Sequence, residues 1–173
     1  DGFFQHPNYS PMEFAEYPRL IEDPVKFWAQ VIRPRIFGIL EEDPQYGELR
    51  LAMANKVVSE KYIGMGTPEL VEKYERTNIE AVALLSLAPY DYIADVFRSF
   101  TDICIDIRRR PEWVLDACEA MLVLWKGVLE NVQPVPGKIN TVTLPLHMAP
   151  YMNRRNFDKF YFPSFKKLIQ MIQ

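Results

Sequence analysis

A short apolar run, a loop of polar and aromatic residues, and a helix opening beside a proline occur twice in this chain. The first copy runs from Ile79 through Ala88 into Pro89-Tyr90-Asp91-Tyr92, the second from Ile139 through Leu146 into His147-Met148-Ala149-Pro150. Both runs read as strands covered on their two faces. The long helical stretch between them predicts a parallel crossover, because a hairpin turn could not bridge them. Parallel α/β folds bind ligands and do chemistry at the carboxyl ends of their strands, so the two loops are where function is sought.

The residues before the first strand read as helices divided by prolines. Ser10-Pro11-Met12-Glu13 has the form of a capping box with proline at the first helical position. Asp23-Pro24 starts a helix with Phe27, Trp28, Val31 and Ile32 on one face, which Pro34 ends or kinks. A further helix is expected from Asp43-Pro44 through Leu49, Leu51, Met53 and Val57 to about Tyr62, stopped by Gly64-Met65-Gly66, before Thr67-Pro68-Glu69 caps a short one. After the first strand, Tyr90–Phe100 and Thr101–Ile107 read as helical, and Pro111-Glu112 opens the longest helix, to about Val132. Its face of Val114, Leu115, Cys118, Met121, Leu122 and Trp125 is wide enough to pack against a sheet. Beyond the second strand come two short helices, Asn156–Phe162 and Pro163–Gln173, with no closing cap. The expected organisation is one incomplete α/β domain: a helical portion over 1–66 and two βα units over 67–173.

The composition narrows the class. With 173 residues, 49% hydrophobic and 25% charged, the chain can bury most of its apolar surface. No apolar run approaches the length of a membrane span and no cationic leader opens the chain, so a cytoplasmic protein without membrane contact is expected. Cys104 and Cys118 alone cannot build a disulfide scaffold and are expected as reduced core thiols. A net charge of -3 argues against a nucleic-acid surface, and the basic triplet Arg108-Arg109-Arg110 suits a helix C-terminus. Leu87-Ala88-Pro89 lacks the glycines of a phosphate loop, no Gly-x-Ser-x-Gly elbow is present, and no repeat of 20 to 50 residues recurs.

Several loose motifs occur in a characteristic order: Ala88-Pro89-Tyr90-Asp91-Tyr92-Ile93-Ala94-Asp95-Val96-Phe97-Arg98, Asp106-Ile107-Arg108-Arg109-Arg110-Pro111-Glu112, Leu144-Pro145-Leu146-His147, and Phe157-Asp158-Lys159-Phe160-Tyr161-Phe162-Pro163. In this order they resemble the uroporphyrinogen decarboxylase superfamily, and its corrinoid-methyltransferase-like bacterial and archaeal branch most of all. Phe14-Ala15-Glu16-Tyr17, Leu20-Ile21-Glu22-Asp23-Pro24 and Pro34-Arg35-Ile36-Phe37 extend the likeness towards the start. The resemblance implies a (β/α)8 barrel whose funnel takes a tetrapyrrole in the decarboxylases. In the methyltransferases it implies zinc and a corrinoid methyl donor. A barrel of that kind needs roughly 250 residues, so the expectation is a central TIM-barrel segment of a longer enzyme. The arginine-rich motif and carboxylate of the decarboxylases, and the zinc ligands of the methyltransferases, have no counterpart here. No cofactor is expected within the segment, and no catalytic residue can be named.

The candidate substrate-binding residues are Asp91, Tyr92, Asp95, Arg98 and His147. Spacings of four, three and four place Asp91, Asp95, Arg98 and Asp102 on one face of a regular helix, either at a barrel mouth or as a solvated ion-pair ladder. His147 directly follows the second strand, where it could bind substrate, transfer a proton or ligate a metal, although no second ligand stands at a recognisable spacing. The superfamily branch often continues Leu-His with lysine and glycine, where this chain has Met148 and Ala149. Tyr90, Tyr92 and Tyr151 could line an aromatic wall or fill the core, whereas Phe157, Phe160, Tyr161 and Phe165 make a core stripe. Asp91, Arg98 and His147 are expected in one pocket. A second function class remains: a non-catalytic segment that pairs with itself as a homodimer, or with a complementary chain, through open sheet edges.

Overall fold

The computed structural model describes residues 9–63, 73, 78–85 and 87–173. The arrangement is α/β and rich in helix. Strands β1 (Ile79–Leu84) and β2 (Ile139–Thr143) pair in parallel, with Ile79 opposite Ile139, Leu84 opposite Thr143, and an irregularity between Ala81 and Ala83. The parallel crossover is therefore present. Both strands are shorter than the apolar runs that announced them. One more ladder bond, from Leu85 N–H to the Thr143 carbonyl at 2.8 Å, closes the pair. Beyond it Pro145 has no N–H to donate. Among the described residues the expected cover on both faces is not found: Ile79 and Ile139 are exposed, and contact with the core comes from Leu85, Val142 and Leu144 at the carboxyl ends.

The N-terminal helices are α1 (Tyr17–Glu22), α2 (residues 24–36), α3 (Ile39–Glu42) and α4 (Gly47–Ile63). The helix expected from Ser10 begins later, because tertiary bonds take the capping groups. The Ser10 hydroxyl oxygen accepts from Arg98 Nη1 at 3.2 Å, and Met12 N–H donates to the Phe97 carbonyl at 2.9 Å. A 3₁₀ turn, Phe14–Glu16, leads into α1 instead, with Glu13 N–H donating to Glu16 Oε2 at 2.9 Å. Asp23 caps α2 as expected, its Oδ1 accepting from Lys26 N–H at 2.9 Å.

Pro34 does not end α2. Residues Trp28–Ile32 wind as a π turn, and Arg33 N–H reaches back five residues to the Trp28 carbonyl. The widened turn takes up the hydrogen bond that proline cannot make. The same device recurs near the C-terminus. There the two helices expected from sequence form one, α8 (residues 154–172), whose π turn Phe157–Tyr161 stands directly before Phe162-Pro163. Before α4, the Asp43 carboxylate accepts from Tyr46 N–H at 3.0 Å and delays the helix to Gly47. A Cβ at Gly47 would lie 2.6 Å from the Ile39 carbonyl oxygen, so only glycine lets α3 and α4 approach this closely. The expected stop at Gly64-Met65-Gly66 and the turn at Thr67-Pro68-Glu69 lie outside the described residues.

Between the strands run α5 (residues 89–98), α6 (Phe100–Arg109) and α7 (Pro111–Leu129). Pro89 and Pro111 occupy the first turns of α5 and α7, where a missing N–H costs nothing. Ser99, at φ 79°, separates α5 from α6, and its hydroxyl oxygen accepts from Asp102 N–H at 3.3 Å. The long helix α7 packs against other helices rather than a sheet. Its buried Val114, Ala117, Cys118, Met121 and Trp125 are covered by α1, α2, α5, α6 and α8. Tyr17, Leu20, Phe97, Ile103, Tyr161 and Leu168 complete this core. Each such side chain contributes about 1.5 to 3 kcal/mol by leaving water. The helical core thus holds the ground on which the two strand-end loops meet.

Candidate functional site at the strand carboxyl ends

Asp91 stands in the first turn of α5 and is fully buried. Its Oδ1 accepts from Met148 N–H at 2.8 Å, while Oδ2 accepts from His147 N–H at 3.2 Å and the Tyr161 hydroxyl at 2.7 Å. One carboxylate therefore fastens the loop after β2 to the helix after β1 and to α8. Burial, together with the bond to Asp91, pushes the Tyr161 hydroxyl far above the usual phenol range, so it remains a donor.

The peptide held in this way carries the His147 ring. His147 Nδ1 lies 2.8 Å from Asp95 Oδ2, one turn along α5 from Asp91. A carboxylate only accepts, which assigns the hydrogen to Nδ1 and leaves the Nε2 lone pair uncommitted to Asp95. The imidazole side chain is 59% exposed and that of Asp95 24%. The Tyr151 ring meets the imidazole edge-on at 6.2 Å, and the Phe100 ring meets Tyr151 at 6.0 Å. The result is an oriented, accessible imidazole beside an exposed aromatic rim. Chemically, Nε2 can accept a proton or a hydrogen bond, and the protonated ring can donate to an anionic oxygen.

Arg98 is not part of this group. Its guanidinium is buried and turned to the other side of the break at Ser99. Nε donates to Asp106 Oδ2 at 2.6 Å, Nη2 to Asp106 Oδ1 at 3.2 Å, and Nη1 to the Met12 carbonyl and to Ser10 Oγ at 3.2 Å. The Tyr17 hydroxyl adds a bond to Asp106 Oδ2 at 3.0 Å, and burial, ahead of Asp106 itself, raises its pKa well above the usual phenol range. This cluster ties residues 10–17 to α5 and α6. Asp102 stands 3.8 Å from Arg98. The common face expected for Asp91, Asp95, Arg98 and Asp102 assumed regular α-helical periodicity. The π turn Ile93–Arg98 and the positive φ at Ser99 remove that periodicity.

Tyr92 is likewise placed in the core rather than on a wall. Its ring meets Trp28, Phe97 and Trp125 edge-on at 5.7, 5.4 and 5.8 Å, and burial pushes its hydroxyl up to about 12. Tyr90 is buried against Tyr161, so of the three tyrosines only Tyr151 borders His147. Tyr161, read from sequence as a core residue alone, also supplies a hydrogen bond to Asp91; its helical stripe carried no sign of that. His6 lies outside the described residues.

Among the described residues no group of three or more His, Cys, Asp or Glu side chains could hold a metal ion. Among the described residues Asp95 is the one hydrogen-bond partner of the His147 ring, and Asp91 commits both oxygens to hydrogen bonds. The described residues therefore supply no ligand set for the zinc that the resemblance implies for a methyltransferase. Among them no helix is long and apolar enough to cross a membrane. The chain matches no family model, no curated protein and no solved structure.

Proposed function

We propose that this chain is a segment of a uroporphyrinogen decarboxylase-superfamily enzyme and that its strand-end loops position a substrate. The observation that carries the reading is the Asp95–His147 pair, set on a loop that Asp91 clamps by two backbone N–H groups. A carboxylate orients the imidazole, and a buried carboxylate fixes the peptide bearing it. That is the construction expected where a ring nitrogen must meet a substrate atom in one geometry. In this reading β1 and β2 are neighbouring strands of a (β/α)8 barrel. The exposed Ile79 and Ile139 support that placement, since further strands and helices would cover them. The protonated ring would suit an acidic group of a tetrapyrrole, and Nε2 would accept from a neutral substrate of a methyl-transferring relative.

The test is a titration of the protein with uroporphyrin and, separately, methylcobalamin, followed by the absorbance of each. Saturable binding of either, weakened at least tenfold by His147→Ala and less by Asp95→Asn, is the expected result. Binding of neither, or binding indifferent to His147→Ala, would overturn the proposal. The exposed sheet also bears on the second reading, pairing with a complementary chain or a second copy. Sedimentation would reveal that as a dimer disrupted by Ile139→Lys.

A further inference from the structure

The outer face of α6 carries a feature that shares only Phe100 with the aromatic rim of the His147 site. Phe100, Thr101, Cys104, Ile105, Arg108 and Arg109, all on this one helix, line a shallow, widely open groove of about 540 Å³. Ile103 and Asp106 face the core on the opposite side of the helix, so the groove is the helix's solvent face. A solvent face of this kind is ordinarily polar, yet Phe100 is 52% and Ile105 44% exposed.

The two ends of the groove differ in charge. At the Phe100 end the ring meets exposed Tyr151, continuing the apolar surface. At the other end stand Arg108 and Arg109. The Arg109 guanidinium lies over the Phe14 ring at 4.3 Å, whereas exposed Arg108 has no ion pair among the described residues. The nearby acids are engaged: Asp106 and Asp102 by Arg98, and Glu112 by Arg110 at 3.5 Å. From Phe100 to Arg108 the helix rises about 12 Å, at roughly 1.5 Å per residue. The floor is apolar along this length and ends in a guanidinium able to take a carboxylate on two N–H donors.

We propose that this groove binds a small amphipathic carboxylate, its apolar chain along Phe100, Cys104 and Ile105 and its anionic group on Arg108. The charge at one end selects the occupant: an uncharged chain would leave the guanidinium unused, and a polyanion would leave the apolar floor exposed. The proposal does not rest on the reading of His147. Calorimetric titration with decanoate below its micelle concentration tests it, with decanol as the uncharged control. Saturable one-to-one binding is expected, at least tenfold weaker for decanol, for Arg108→Ala and for Ile105→Glu. Both substitutions are at exposed positions, and the thermal midpoint of each variant, expected to match the wild type, separates loss of binding from unfolding. No saturable binding by the wild-type protein, equal affinity for acid and alcohol, or an Arg108→Ala variant that binds as wild type would each overturn the proposal.

Discussion

Removing the Asp91 carboxylate is the perturbation that the structure defines most sharply. Asp91→Ala deprives three donors of their acceptor at once: the N–H groups of His147 and Met148 and the Tyr161 hydroxyl. The acceptor site is fully buried and Met148 nearly so, so water cannot easily replace the lost partner. A buried donor left unsatisfied costs about 1 to 3 kcal/mol. Allowing for relaxation and for non-additivity among three bonds to one group, the loss should be about 3 to 5 kcal/mol. For a domain stabilised by about 5 to 15 kcal/mol in all, that is a large fraction. Tyr161→Phe removes one of the three bonds and should cost about 1 to 2 kcal/mol. Equilibrium urea unfolding of the wild type, Asp91→Ala, Tyr161→Phe and the double variant supplies the cycle. The double variant should be less destabilised than the sum of the singles, because Tyr161→Phe costs little once its acceptor is gone. An Asp91→Ala protein with a wild-type midpoint, or a strictly additive cycle, would refute the clasp.

Three further outcomes follow from buried or paired groups. Arg98→Met leaves the Asp106 carboxylate buried with Tyr17 as its donor, and should cost about 3 to 5 kcal/mol in urea unfolding, part of it recovered by adding Asp106→Asn; a neutral Arg98→Met would contradict the cluster. The Arg35 guanidinium, bonded to Glu16 at 2.6 and 3.0 Å, holds the Glu16 carboxyl below its ordinary value of 4.5. That stability is fully present above the ordinary value and is lost as pH falls through the lowered one. Acid should therefore lower the wild-type urea midpoint more steeply than that of Glu16→Gln, and parallel profiles would refute the assignment. Burial pushes the Cys118 thiol far up, while Cys104 is only partly covered. An aromatic disulfide reagent should titrate Cys104 in the native protein and Cys118 only in urea; equal native rates would show Cys118 to be accessible.

The sequence was most legible where local chemistry decides structure. Pro89, Pro111 and Asp23 mark helix starts correctly because a first-turn proline or an accepting side chain acts within three residues. The parallel pairing followed from chain length between the strands, which is also a local count. Legibility failed where a distant partner competes. Ser10 looks like a cap, yet its hydroxyl and the Met12 N–H are taken by groups near Phe97, far along the chain. Pro34 and Pro163 look like helix ends, but tertiary packing keeps the helices running and a π turn absorbs each missing bond. At the site, the loop positions identified Asp91, Asp95 and His147 as residues worth following, and the structure joins these three. Arg98 and Tyr92 lie on the same stretch, but a π turn and a positive-φ serine redirect them inward. No 3.6-residue pattern could have shown that.

The central claim is that Asp95 holds the His147 ring in one orientation at the end of β2. Long-range ¹H–¹⁵N NMR of the imidazole tests it directly, with the second histidine assigned through a His6→Gln variant. At a pH where the ring is neutral, the account predicts a dominant Nδ1–H tautomer in the wild type, shifting towards a mixture in Asp95→Ala. A dominant Nε2–H tautomer that is the same in both proteins would contradict it.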